Sequence, residues 1–342
     1  MRLPWGILSA LMLLPLSAHE TRAQNNVNIL CSVQAEWCQA LAAAFEKGSG
    51  IRVAVSMKGS GESLAQLRAE KDNPKTDLWF GGTGDPHLIA AEEGLSEPFD
   101  SPVLKDLHPW AVEQWRSAGQ RAVGIYAGAL GFGFNKEWMA KKRVEAPKCW
   151  SDLLKADFKG EIQMANPNSS GTAYTMIATI VQLNGEDAAF KYMRDLHPNI
   201  NAYTKTGTGP IKAVARGETG VSISFVHDAV AEAEAGFPVA YVTPCEGTGY
   251  EIGSMSIVKG GRNGANARKL YEWALTPEAQ RLGFDVARQR QMPSNTKAPL
   301  PPDAPDLSKI KLIAYDFVKY GAAAERKRLL DLWNKEIGSL AR

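Results

Sequence analysis

His227 and Asp228, adjacent after the apolar run VSISF, and Glu251, inside the apolar stretch YEIGSM, carry the sharpest chemistry in this sequence. A carboxylate in such a setting needs a partner or a cleft, because burying it unpaired is very costly. Together the three can accept hydrogen bonds from several hydroxyls of a polar ligand. Four glycine- and hydroxyl-rich turns supply the complementary chemistry, donors for an anion. ANPNSSGTAYT places Ser169, Ser170, Gly171 and Thr172 at the entrance of an apolar helix, KGSGES holds Ser60, GGTGDP holds Thr83 and TKTGTGP holds Thr208. Each turn precedes a helix, whose unpaired first-turn N–H groups and positive dipole end form an anion seat. Each also reads as an ordinary N-cap or tight turn, and His227-Asp228 as a capping aspartate beside a half-buried histidine. No arginine lies in the four turns, so a phosphate there must rely on backbone dipoles, hydroxyls and Lys58 or Lys205.

Enzyme motifs are weaker. None of the turns has the glycine, lysine and hydroxyl spacing of a P-loop, and no nucleophile elbow, metalloprotease helix or dinucleotide fingerprint occurs in context. A secreted hydrolase using Ser60 or Ser170 is the enzymatic rival. The formal net charge of +2 gives no reason to propose nucleic acid or an anionic membrane as partner.

The order of elements says how the loops are held. Strands at 27–31, 51–57 and 77–80 alternate with helices at 35–47, 60–70 and from Asp85, a βαβαβ order that implies a parallel sheet flanked by helices. The glycine-rich run GIYAGALGFGF, 124–134, reads as an extended crossing into a second unit. That unit contains a helix at 150–154, strands at 161–165 and 221–225, and helices at 172–184, 211–216 and 228–235. GTGYEIG, 247–253, reads as a second crossing, and a strand at 251–258 returns to the first unit before helices at 265–275 and 277–287. An amphipathic stretch, 314–337, finishes the chain. A chain that leaves one lobe, builds another and returns makes a clamshell, with ligand-binding loops at the carboxyl ends of its strands.

Residues 1–23 read as an export signal: Arg2, the apolar run from Leu3 to Leu16, and the small-x-small site Thr21-Arg22-Ala23. A mature chain from Gln24 in the periplasm is expected. In that oxidising compartment the four cysteines should form two disulfides. Cys31 ends a strand and Cys38 lies in the next helix, so this pair can close locally and leaves Cys149 with Cys245. Zinc would need clustered pairs such as C-x-x-C, and none occurs.

DLWFGG, ANPNSSGTAYT, SFVHDAV, EGTGYEIG and ALTPEAQ, spread over the whole mature chain, resemble periplasmic solute-binding proteins of ABC importers. The branch is the one containing ferric-ion-binding proteins and their hexose-phosphate-binding relatives. The resemblance implies an α/β, type II-like two-lobe clamshell, each lobe a mainly parallel sheet flanked by helices. Lobes of 24–130 plus 254–306 and of 131–253 plus 307–342 are expected, with the tail after Asp306 packed on the second lobe. It also implies a monomer that docks on an inner-membrane permease and carries no cofactor. Ferric members present two adjacent tyrosines where this chain has Phe225-Val226-His227-Asp228, and phenolates are hard ligands suited to Fe³⁺. Their helix entrance matching 169–173 holds an anion. Hexose-phosphate relatives use a histidine-aspartate pair, a glutamate and an early serine, matching His227, Asp228, Glu251 and Ser60. The expected ligand is thus a small phosphorylated organic solute, a sugar phosphate foremost, contacted by Ser60, Thr83, Ser169, Ser170, Gly171, Thr172, Thr208, His227, Asp228 and Glu251. A phosphonate, ferric ion with a bound anion, and service as the input module of a sensor are the alternatives.

Overall fold

The structure, a computed structural model, describes residues 25–301 and 303–340, so the expected export signal at 1–23 lies outside the described residues. The strands are β1 (Asn26–Cys31), β2 (Arg52–Met57), β3 (Leu78–Phe80), β4 (Val123–Asn135), β5 (Ile162–Ala165), β6 (Ile200–Thr204), β7 (Val221–Phe225), β8 (Val239–Val242), β9 (Tyr250–Ile257) and β10 (Met292–Pro293). They join in the order β2-β1-β3-β9-β4-β7-β5-β6, with β8 and β10 also paired to β4. β1 runs parallel to β2 and β3, and β5 parallel to β6 and β7, whereas β4 and β9 bring antiparallel pairing to the middle. Helices fill the connections between the parallel strands.

The extended crossing expected at 124–134 is strand β4, paired along its length. The first part of β4 pairs with β9, from Val123 opposite Met255 to Ala129 opposite Tyr250, and its second part pairs with β7 and β8. The strand is buried along almost its whole length, which suits its unbroken run of small and apolar residues. Two apolar cores lie on either side of it. One gathers Ile29, Leu41, Phe80, Val123, Met255 and Leu270, and the other Phe132, Met164, Tyr174, Ile177, Phe190 and Trp333.

One local expectation needs correction. Residues Trp150–Leu154 form a 3₁₀ turn. The amphipathic C-terminal stretch contains helices Phe317–Tyr320 and Ala323–Trp333, separated where Ala322 turns extended. Helix Glu186–Leu196 and strand β6 were not anticipated. The tail packs on the second core through Tyr315, Tyr320, Leu329 and Trp333, and the Tyr174 hydroxyl donates to the Tyr320 carbonyl at 2.8 Å. It also reaches the first lobe. Arg326 lies over the Tyr174 ring, 4.2 Å from its centroid, and makes a buried ion pair with Asp85.

Both expected disulfides, Cys31–Cys38 and Cys149–Cys245, are formed. They span 7 and 96 residues of sequence, and chain-entropy arguments weight the longer loop more heavily. Replacing Cys149 and Cys245 together by alanine is expected to cost about 2–4 kcal/mol. Urea unfolding checks this: the midpoint should fall well below that of the wild type, and further than in the Cys31/Cys38 double variant.

Candidate solute-binding site

A cavity of about 340 Å³ lies between the two lobes. Six helices bring their N-terminal ends to it. Gln34 precedes helix Ala35–Ser49, Gly59 precedes Ser60–Ala69, Thr83 precedes Gly84–Glu92, Ser170 precedes Gly171–Asn184, Thr208 precedes Gly209–Ala215 and Phe225 precedes Val226–Glu234. All six of these residues line the cavity, and none uses its side chain to cap its own helix. The first-turn N–H groups of a helix have no acceptor within it, so the cavity wall is rich in backbone donors.

At one end Ser60 and Thr83 of the first lobe face Ser170, Gly171, Thr172 and Thr208 of the second. Ser60 Oγ accepts the Thr83 N–H at 3.2 Å. A Cβ on Gly171 would stand 1.8 Å from Thr83 Oγ1, so glycine is what lets the two turns meet. The available cations are lysines: Lys58, Lys205 and Lys212 line the wall, and Lys205 is paired at 2.9 Å with Glu62 of the opposite lobe.

At the other end His227, Asp228 and Glu251 are all buried. His227 Nε2 stands 3.7 Å from Asp228 Oδ1 and 3.9 Å from Glu251 Oε1, beyond hydrogen-bonding distance. Burial pushes the imidazole down to about 3, so the ring is neutral. Burial, then the neighbouring Glu232 carboxylate, push Asp228 up to about 7 against the pull of Lys212 and of a 2.7 Å hydrogen bond donated by Gln34 Nε2. Burial again, followed by the charges of Asp228 and Asp85, holds Glu251 well above the usual carboxylate range. The His227 ring stacks on Phe225 at 5.4 Å, and Gly128 of β4 lies so close beneath it that a Cβ there would be 2.5 Å from Nδ1.

Of the ten residues expected from the sequence, nine line this one cavity. Ser169 does not: its hydroxyl donates to the Lys205 and Asn166 carbonyls, and its own carbonyl accepts the Gly61 N–H at 3.2 Å across the lobes. Its role is in the lobe contact. Gln34, Tyr126 and Gln291 also line the cavity and were not anticipated. Gln34 is the residue before a helix at a strand's carboxyl end, and that placement was a usable signal; Tyr126 and Gln291 sit on β4 and beside β10, where nothing local marks them. A metal centre has little to build on. Among the described residues, three His, Cys, Asp or Glu ligand atoms lie within 4.8 Å of one another only at Cys149, Cys245 and Glu246, and two of these are joined in a disulfide.

Comparison with known proteins places this cavity in context. Residues 75–320 match the family described as bacterial extracellular solute-binding protein. The periplasmic binding protein AfuA from Actinobacillus pleuropneumoniae, solved with exogenous fructose-6-phosphate bound, is 44% identical and superposes with a TM-score of 0.87 over 92% of this chain and 99% of its own. The periplasmic binding protein P5PA is 39% identical, with a TM-score of 0.88 over 91% and 99%. A Salmonella paratyphi A protein, provisionally named a 2-aminoethylphosphonate-binding periplasmic protein, is 27% identical over 255 residues, 71% of this chain and 70% of its own. Among the described residues no helix is long and apolar enough to cross a membrane. The chain belongs to the bacterial extracellular solute-binding protein family.

Proposed function

We propose that this protein captures a small phosphorylated organic solute, a sugar phosphate foremost, and delivers it to an inner-membrane ABC permease. The observation that carries the reading is the pairing, in one cavity, of converging helix N-termini with the buried acceptors His227, Asp228 and Glu251. Helix ends and the hydroxyls of Ser60, Thr83, Ser170, Thr172 and Thr208 hold the phosphate, and the carboxylates receive the solute's hydroxyls. The fructose-6-phosphate-bound relative supports the assignment. Lobes of 24–130 plus 254–306 and 131–253 plus 307–342 close on the ligand, and the permease reads the closed shape. The protein acts as a monomer in the periplasm after removal of 1–23. Catalysis is no part of this reading. An aminophosphonate is the second reading, favoured by the two buried carboxylates that would meet its amine.

Calorimetry with fructose 6-phosphate, free fructose, inorganic phosphate and 2-aminoethylphosphonate separates these readings. The hexose phosphate should bind tightest and free fructose not at all; tightest binding by the aminophosphonate would transfer the assignment to it. Hydrogen bonds to charged groups contribute about 1.5–3 kcal/mol, so Asp228→Asn and Glu251→Gln should each weaken hexose phosphate binding roughly 10- to 150-fold.

Closure itself can be tested apart from the ligand contacts. A Cβ on Gly61 would stand 2.5 Å from the Asn168 carbonyl of the opposite lobe, while its helix tolerates alanine well. Gly61→Ala should therefore weaken binding at least tenfold while leaving the urea midpoint equal to or above that of the wild type.

The closed cavity also links closure to pH. Asp228, ordinarily ionised above 3.8, is pushed up to about 7 by burial, so ligand-free closure takes up a proton at neutrality. His227, ordinarily titrating at 6.5 and pushed down to about 3 by burial, opposes this only as the pH approaches 6.5. As pH falls from 8 to 6.5 the ligand-free protein should become more compact by small-angle X-ray scattering, and Asp228→Asn should lessen the response, leaving the part that comes from Glu251, which burial also holds well above the usual carboxylate range.

A further inference from the structure

Behind the solute cavity lies a smaller one of about 20 Å³, bordered by Trp37, Tyr126, Gln280, Gln289, Gln291 and the prolines at 293, 299 and 301. Tyr126 and Gln291 border both cavities. Trp37, Gln289 and Gln291 are more than nine-tenths buried, yet Trp37 Nε1, both amide atoms of Gln289 and Gln291 Oε1 have no protein partner. Gln280, on the same wall, is fully engaged: it donates to Ser294 Oγ at 2.7 Å and accepts the Asn295 N–H at 2.8 Å. Leaving a buried donor or acceptor unsatisfied costs about 1–3 kcal/mol, so four such atoms around one small space require a common partner.

Their chemistry defines it. Trp37 Nε1–H and the Gln289 NH₂ are donors, and the Gln289 and Gln291 oxygens are acceptors. Two donors and two acceptors match one water molecule, and the space has room for one. Because both Gln289 atoms are without partners, exchanging its amide O and N leaves the count unchanged. Gln291 Cγ comes within 3.5 Å of the position a Cβ on Gly128 would occupy, against the His227 ring, which places this residue at the hydroxyl end of the cavity.

We propose that Gln291 contacts the solute and helps set its specificity, and that one internal water, held by Trp37 and Gln289, orients its amide. With Oε1 anchored on the water, Nε2 faces the cavity as a donor, complementing the acceptors Asp228 and Glu251 with a group for a carbonyl, ring or hydroxyl oxygen of the solute. Gln289 is a positioning residue that acts through the water. This inference rests on the sugar-phosphate reading for its ligand but not for its water.

A high-resolution crystal structure of the wild type should show a water within hydrogen-bonding distance of Trp37 Nε1, Gln289 and Gln291; a dry compartment overturns the water, whatever solute binds. By calorimetry, Gln291→Leu should lower fructose 6-phosphate affinity at least tenfold and Gln289→Leu three- to tenfold. Inorganic phosphate affinity should be unchanged in both, and Gln289→Asn should recover part of the loss. Wild-type hexose phosphate affinity in Gln291→Leu, or an equal loss of inorganic phosphate binding, overturns the specificity role. If the wild type binds no hexose phosphate, the function assignment falls, and the crystallographic result alone decides the water.

Discussion

An anion taken out of bulk water between two lobes needs donors that carry little desolvation cost of their own, and the first turns of helices are such donors. In this chain six helix N-termini meet one cavity. The arrangement follows from the parallel strands: each helix starts where a strand ends, so β1, β2 and β3 deliver N-termini to one edge in the first lobe, and β5, β6 and β7 to one edge in the second. The long strand β4, shared by both lobes, faces these edges toward one another. Lysines at the wall are secondary to this field, and Lys205 is committed to Glu62.

Two lobes can present backbone groups to one ligand only if their turns approach closely, and that is where glycine matters. Gly171 meets the Thr83 side chain, and Gly59 and Gly61 meet the carbonyls of Ser169 and Asn168, at distances no Cβ could occupy. Ser169 belongs to this contact and not to the ligand wall. A single segment thus does two jobs: Asn168 and Ser169 dock against the opposite lobe, and 170–172 lines the cavity.

The parallel strands and the turns that follow them were legible because hydrophobic runs, glycines and hydroxyls are local signals. Ser60, Thr83, Thr208, His227, Asp228 and Glu251 all lie at or beside such signals and reach one cavity. What was not legible depends on contacts far apart in sequence. Gln34 bonds Asp228 across 194 residues, and Gln291 reaches the cavity because β10 pairs with the middle of β4. Helix Glu186–Leu196 is a different kind of omission: Ala189, Phe190, Met193 and Leu196 follow a helical period and are all buried, so its signal was present in the sequence.

Two buried carboxylate settings in this fold show how structural and functional burial differ. Asp85 faces the Arg326 guanidinium, which itself rests on Tyr174, so its burial is answered inside the protein and ties the tail to the first lobe. Asp228 and Glu251 are buried as deeply, but their near neighbours are a neutral imidazole and a glutamine amide. Breaking the first arrangement would strand a charge in the interior. In the second, among the described residues, no lysine or arginine stands within ion-pair distance of either carboxylate, and hydroxyl donors from a solute would answer them. Closure is then favoured by what enters the cavity, which is the coupling a capture protein requires.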